Sequence, residues 1–213
     1  MSDIPILSPR EIFDRFAEAY QERYADQSAN EASLTVFCKA LPGSKVLEIG
    51  CGPGTLTKYL LDQQADLELL GIDLAPNMVR LARQNFPTAT FEVMDCREMV
   101  NLPATYHGIL CGFVLPYLSR EEAIQLIADA TAISEPGAVI YFSTIEGAYA
   151  DSGIRYASNK QSGAHIYLHE AGYLKEALDS TGWEVIHEAR HPPELSFSGT
   201  ESELILIARQ TPD

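Results

Sequence analysis

Basic residues are scarce in this chain: 15 Lys and Arg stand against 30 Asp and Glu, a formal net charge of −15 at pH 7. Binding to DNA or RNA rests largely on Lys and Arg neutralising phosphates, so no nucleic-acid partner is expected, and no anionic membrane surface either. Long apolar runs are missing too. No stretch reaches the roughly 18 residues that a membrane span needs. The start, "MSDIPILSPREIFDRF", has no basic segment leading into an apolar core, so no signal peptide is expected and a cytoplasmic location follows. Cysteine is sparse: Cys38, Cys51, Cys96 and Cys111 stand singly. Without a CxxC pair, neither a disulfide framework nor a zinc site is expected, and no metal is called for. No repeat and no low-complexity segment is visible.

What is present is an ordinary globular mixture. The 213 residues are 46% hydrophobic, enough apolar material for one domain spanning 1–213 with a real core. Residues 1–43 read as an N-terminal helical cap. Ser8-Pro9-Arg10-Glu11 is a capping box with proline at the first helical position, and Ile12, Phe13, Phe16, Tyr20 and Tyr24 follow at helical spacing. Ser28 to Glu31 makes a second capping box, opening a helix that stops before Pro42-Gly43.

From residue 44 onward short apolar runs alternate with amphipathic segments. Strands are expected at 46–49, 67–72, 88–94, 108–113 and 138–144, and helices at 55–64, 76–85 and from Ser119-Arg-Glu-Glu122 towards Ile133. Glu135-Pro136-Gly137 reads as a turn. Such alternation implies βαβ units and a parallel sheet covered on both faces, a doubly wound α/β fold. The end differs: a helix over 173–181, closed by Gly182, precedes strands at 183–187 and 203–208, with an irregular connection marked by Pro192-Pro193 and Ser198-Gly199. Two strands with no helix between them predict an antiparallel pair closing the sheet.

The first strand runs into "VLEIGCGPG", residues 46–54, with glycines at 50, 52 and 54. A glycine-rich turn after the first strand lies where open α/β sheets bind ligands, beyond the carboxyl ends of the strands. Missing side chains let a ligand approach the backbone. Taken alone, the pattern is also compatible with a plain tight turn. Its surroundings add weight. Asp73 ends the second strand in "LLGIDLAPNM", where an acid can accept hydrogen bonds from both hydroxyls of a ribose. Asp95 ends the third in "FEVMDCREM". With Glu48, three acids stand at or near the tips of consecutive strands, which packing does not explain.

The stretches "VLEIGCGPG", "GIDLAPNMVRLAR", "FEVMDCREM", "YHGILCGFVLPYL" and "EPGAVIYFST" resemble the successive motifs of class I S-adenosylmethionine-dependent methyltransferases, of the small-molecule group, over roughly residues 45–208. That resemblance implies a Rossmann-like seven-stranded sheet in the order 3-2-1-4-5-7-6 with the last strand antiparallel. It implies S-adenosyl-L-methionine as cofactor and S-adenosyl-L-homocysteine as product. By the same resemblance Gly50, Cys51, Gly52 and Gly54 lie under the methionine and ribose of the cofactor, and Glu48 supports that loop. Asp73 holds the ribose hydroxyls, Leu74 and Met78 contact the adenine, and Asp95 accepts from its amino group with Cys96 alongside. Cys111, Gly112 and Phe113 line the methyl-donor end. A sulfonium is a cation and tolerates acidic surroundings. The usual nicotinamide pattern is GxGxxG, and here the third glycine comes one residue early.

Methyl transfer from a sulfonium is an in-line displacement in which positioning supplies much of the acceleration, and a base is needed only where the acceptor must lose a proton. The sequence lacks the Pro-Pro-Tyr type motif of amino-methylating nucleic-acid enzymes, a Pro-Cys nucleophile, and an acidic pair after the fifth strand for a magnesium-dependent enzyme. Many small-molecule members carry a histidine where Pro116 stands. The catalytic group is left open between His165, Tyr117 and Glu146. Tyr20, Tyr24, Tyr117 and His165 are candidates for substrate contact, although a core role is the plainer reading of Tyr20. His169 is placed near the next helix without chemistry. The aperiodic stretch of about 145–165 is expected over the acceptor site, where with the N-terminal helices it acts as a lid. A small-molecule acceptor is expected, of undetermined identity, and no oligomeric state is specified. Two other readings stay open: an NAD-dependent oxidoreductase on a similar sheet, and a catalytically silent S-adenosylmethionine-binding regulatory module.

Overall fold

The computed structural model describes residues 4–24, 30–156, 161–192 and 201–211. Its main sheet has seven strands: β1 (Lys45–Ile49), β2 (Glu68–Asp73), β3 (Thr90–Val93), β4 (Tyr106–Gly112), β5 (Ser134–Ile145), β8 (Trp183–His191) and β9 (Glu203–Gln210). They lie in the order β3-β2-β1-β4-β5-β9-β8. Counted along this sheet alone, that is the expected 3-2-1-4-5-7-6. The five central strands pair in parallel, and β9 is antiparallel to both β5 and β8. Strands β6 (Gly153–Tyr156) and β7 (Gly163–Ile166) form a separate antiparallel hairpin inside the stretch that shows no periodicity in sequence.

The alternation along the central strands explains the two cores. Ile49, Cys111 and Phe142 face α6 (Arg120–Ala132) and α7 (Ala171–Ser180). Val46, Leu110 and Tyr141 face the other way, under α3 (Glu31–Ala40), α4 (Thr55–Gln63) and α5 (Pro76–Asn85). Phe37 of α3 meets the Tyr141 ring edge-on, with centroids 6.2 Å apart. Each such fully buried large side chain contributes about 1.5–3 kcal/mol of burial free energy.

Local signals act as their chemistry dictates. Ser8 and Ser119 form reciprocal capping boxes with Glu11 and Glu122, opening α1 (Pro9–Arg15) and α6. The periodic stretch after Ser8 is broken at Phe16 into α1 and α2 (Ala17–Arg23). Glu135-Pro136-Gly137 does not precede the fifth strand as a turn. It interrupts β5 from within: Tyr106 faces Ser134, yet Gly108 faces Val139, and Gly137 takes φ +77° to absorb the extra residues. Ser28, Pro193, Ser198 and Gly199, which carry two of the sequence expectations, lie outside the described residues.

The N-terminal helices are fastened to α5. The first helical turn of α5 has Ala75 at its cap, which offers no side-chain acceptor. Asp14 of α1 supplies one instead, its Oδ1 accepting the Asn77 N–H at 2.8 Å, while Asn77 Nδ2 donates to the Asp14 carbonyl at 3.1 Å. Ala17, Ala75, Met78 and Leu81 are buried together beneath Phe13 and Tyr20. Ahead of α1, the backbone of Pro5 and Leu7 bonds to Gly163 of the hairpin at 2.9 Å each.

Candidate functional site

β1 and β4 are neighbours, but the chain leaves β1 towards β2 on one side and β4 towards β5 on the other, and this is the switch point at which open α/β sheets bind ligands. A pocket of about 780 Å³, its open mouth included, lies there. Its floor comes from Ile49, Gly50, Gly52 and Ile72, one wall from Asp73, Leu74 and Met78, another from Met94, Asp95, Cys96 and Arg97. Gly112, Phe113, Val114, Tyr117 and Leu118 close the β4 side, and Pro9, Phe13 and Tyr20 of the N-terminal segment roof it.

The glycine loop bends by three left-handed residues, Gly50, Gly52 and Gly54, at φ +67°, +53° and +90°. At Gly52 a Cβ would point into open space, meeting only the Tyr20 ring at 3.9 Å. The backbone there is bare towards the pocket. The loop spends its donors inside the protein. Gly50 and Cys51 N–H groups both donate to the Ile72 carbonyl at 2.8 and 3.0 Å, Gly52 N–H to Asp73 Oδ2 at 2.9 Å, and Gly54 N–H to the Cys51 carbonyl at 3.0 Å.

Asp73 therefore braces the loop as well as lining the pocket. Its Oδ1 also accepts the Ala75 N–H at 2.8 Å. Burial raises its pKa, against the opposing effect of those two backbone donors. Each oxygen keeps a second lone pair for a ligand hydroxyl. Asp95 caps the 3-10 helix Cys96–Asn101 by accepting the Arg97 N–H at 3.0 Å, and its Oδ1 also takes the Arg97 Nε at 3.0 Å. Burial opposes its ionisation, but the Arg97 contacts hold its carboxyl below the usual range. Arg97 continues to Glu122 of α6 at 2.8 Å, so the Asp95 wall is tied to that helix.

Several expected residues do not form walls. Glu48 is buried below the loop, 1% exposed, and takes the Thr57 hydroxyl of α4. Burial lifts its pKa to about 8, with Thr57 opposing. Its burial thus favours the neutral carboxyl. Cys51 packs into the core under the loop, and Cys111 into the opposite core. Gly54 serves as the cap of α4. Tyr24 lies behind Tyr20, ring centroids 4.6 Å apart, rather than in the pocket. His165 is exposed on β7 with its ring 4.4 Å from that of Tyr167. Glu146 is gripped at two points by Arg190, at 2.6 and 2.7 Å. Neither His165 nor Glu146 is part of the pocket, and no described residue of 145–165 is.

Other residues were not singled out by sequence. Phe13 sits seven positions before Tyr20, on the same helical face, and its ring meets those of Tyr20 and Tyr117 edge-on at 5.7 and 5.2 Å. Its spacing carried that signal. His169, set aside in sequence, is fully buried, its Nε2 lying 2.7 Å from the Leu115 carbonyl and its Nδ1 against the Tyr173 hydroxyl. It fixes the 3-10 helix Leu115–Tyr117 that presents Tyr117 to the pocket. Burial keeps its pKa below the usual value, so the neutral ring donates from Nε2 and accepts at Nδ1. Among the described residues no group of three or more His, Cys, Asp or Glu is arranged to hold a metal ion, and no helix is long and apolar enough to cross a membrane.

The sheet order is that of the Rossmann-like methyltransferase fold, and the glycine loop and strand-end acids gather at its switch point. Residues 46–137, which carry β1 to the interruption in β5, match the family model described as a methyltransferase domain. A ubiquinone biosynthesis O-methyltransferase of Xanthomonas campestris pv. campestris is 26% identical over 111 residues, 50% of this chain and 45% of that protein. A trans-aconitate 2-methyltransferase of Variovorax paradoxus is 28% identical over 123 residues, 57% of this chain and 47% of that protein. The matched stretch thus spans less than half the length of these curated relatives. Among solved structures, a DhpI–SAH complex superposes with TM-score 0.71 at 17% identity, covering 95% of each chain. A magnesium protoporphyrin IX methyltransferase from Synechocystis PCC 6803 with bound SAM gives 0.66 at 19% identity, again over 95% of each chain. At such identities the likeness is one of fold.

Proposed function

We propose that this pocket holds S-adenosyl-L-methionine and that the protein transfers its methyl group to a small-molecule acceptor. The observation that carries the reading is the convergence of the glycine loop, with its backbone bare at Gly52, and Asp73, Asp95 and Phe113 around one pocket at the switch point. When bound, the cofactor supplies an already activated methyl group on a sulfonium.

The chain's own residues bind, orient and exclude water. Asp73 accepts the ribose hydroxyls, Leu74 and Met78 flank the adenine, and Asp95 takes its amino group beside Cys96. Gly112 and Phe113 stand at the methyl-donor end, with Tyr20 and Tyr117 facing the acceptor. The aromatic surfaces of Phe13, Tyr20 and Tyr117 attract a cation electrostatically and keep water out. The relatives named for ubiquinone biosynthesis and trans-aconitate support a small acceptor, as does the acidic charge balance.

The alternative of a nicotinamide dinucleotide is disfavoured by the loop itself. A pyrophosphate is cradled by free backbone N–H groups, and here those of Gly50, Cys51, Gly52 and Gly54 are already spent on protein acceptors. Calorimetry with S-adenosylmethionine, S-adenosylhomocysteine and NADH tests the reading: the first two bind and NADH does not. Binding of NADH alone would sink it. A radiolabelled-methyl screen against metabolite pools separates an enzyme from a silent binder, since only an enzyme transfers label.

A further inference from the structure

Glu203 is the first residue of β9, and because that strand is antiparallel, its start lies at the edge where β1, β4 and β5 end. It stands opposite Ile145, the last residue of β5. It is only 2% exposed. One carboxyl oxygen lies 3.4 Å from Nδ1 of His191, and the other has no hydrogen-bond partner among the described residues. The hydroxyl of Tyr141, fully buried on the same face, has none either. Ser143 sits beside both groups. Its Oγ accepts the backbone N–H of Phe113 at 3.1 Å, and its carbonyl lies 3.2 Å from the same N–H.

Phe113 is the pocket residue at the methyl-donor end, and it is left-handed, at φ +59°. Among the described residues it is the non-glycine residue with positive φ. A phenylalanine persists in that conformation only where its surroundings hold it there. The Ser143 hydroxyl is part of that hold. Having received the Phe113 N–H, it can turn its own proton towards either unpartnered group beside it, the Tyr141 hydroxyl or the Glu203 carboxyl oxygen, and an ionised carboxylate is the stronger acceptor.

We propose that Ser143 and Glu203 are positioning residues of the pocket: Ser143, oriented by Glu203, holds Phe113 in its left-handed conformation and thereby shapes the methyl-donor end. This rests on the reading of the pocket as the cofactor site. With Glu203 ionised, the chain of donors runs from Phe113 N–H to Ser143 and from Ser143 to the carboxylate. With Glu203 protonated, its O–H becomes a donor and competes for the oxygen that receives Phe113. The groups facing Glu203 are Tyr141 and Ser143 from β5 and His191 from β8. His187 follows two pleats along, held by Ser33 of α3 at 3.1 Å. Burial lifts the Glu203 carboxyl to about 7, with Ser143 opposing, while burial keeps His191 below its usual value. Near neutrality the carboxyl is the group that changes charge.

The test follows the Phe113 amide in 1H–15N spectra of the ligand-free protein between about pH 5.5 and 8.5, beside S-adenosylhomocysteine affinity by calorimetry over the same range. In the wild type the amide shift titrates near pH 7, and affinity falls about 3- to 10-fold on the acid side, the worth of roughly one hydrogen bond. Glu203→Gln abolishes both steps. Ser143→Ala abolishes the amide titration and weakens binding at every pH, and Ser143→Thr, which keeps the hydroxyl, restores both. Thermal melts of each variant establish that it is folded. A Phe113 amide that does not titrate, or a step that survives Glu203→Gln and disappears in His191→Asn, overturns the proposal. A wild type whose amide titrates but which never binds S-adenosylhomocysteine overturns the cofactor reading, and with it the proposed role.

Discussion

Replacing Asp73 with alanine strips the acceptor from two backbone N–H groups, those of Gly52 and Ala75, as well as from any ribose in the pocket. Charge-assisted hydrogen bonds are worth about 1.5–3 kcal/mol each, so cofactor affinity is expected to fall on the order of 10- to 100-fold by calorimetry. Because the loop is loosened too, the melting temperature falls with it, and a variant of wild-type affinity would defeat the assignment. Glu48 makes the opposite kind of prediction. Its folded pKa, about 8, lies above the ordinary carboxyl value. The stability it contributes is therefore complete below the unfolded pKa and is lost as pH rises through the folded one. Glu48→Gln keeps an acceptor for Thr57 and never ionises. Its melting temperature relative to wild type should climb between about pH 5 and pH 8, by up to about 1.4 kcal/mol of stability per pH unit, and a constant difference across that window would contradict the assignment. Both acids stand out in the sequence as strand-end residues. Their protonation states do not, because charge depends on burial and on partners such as Thr57 that arrive from another element.

The helices show where local signals suffice and where they fail. The capping boxes at Ser8 and Ser119 are legible because a cap is made by residues three positions apart. The cap of α5 is not, since Asp14 reaches it across 63 residues of sequence. Asp14→Ala leaves the Asn77 N–H without its acceptor, at a cost of about 0.5–2 kcal/mol by the measure of ordinary caps. Hydrogen exchange should quicken in α1 and α2 more than elsewhere. Uniform exchange throughout the protein would argue against the helices being latched at that point. The hairpin of β6 and β7 belongs to the same scale. It contributes no wall to the pocket, but its Gly163 pins the chain just before α1, so it acts on the pocket through the N-terminal segment. If bound S-adenosylhomocysteine closes this roof, limited proteolysis in 145–165 slows with ligand. Equal rates would leave the lid without support.

For the whole molecule, a ligand that binds the folded chain and not the unfolded one stabilises it by mass action, about 2.7 kcal/mol at one hundred times its dissociation constant. For a chain of this size each kcal/mol moves the melting temperature by about 2–4 °C. S-adenosylhomocysteine at that excess should therefore raise it by roughly 5–10 °C, and NADH at equal concentration should not. A scan in which the two are indistinguishable would count against the pocket as a sulfonium-cofactor site.

The order of elements, the doubly wound sheet and the acids at the ends of β2 and β3 were determined by the sequence alone, because hydrophobic period, caps and glycine clusters are local properties. The antiparallel closure was also legible, from two strands with no helix between them. The consequence of that closure was not. Reading strand ends for acids finds Asp73 and Asp95, whereas Glu203 reaches the same edge from the start of its strand, and only the reversed direction of β9 brings it beside Ser143 and Tyr141. Nor does any local pattern separate His165, exposed on a hairpin, from His169, buried behind Tyr117. Those decisions belong to the tertiary structure, since burial, direction and partner are properties of segments that meet only when the sheet is assembled.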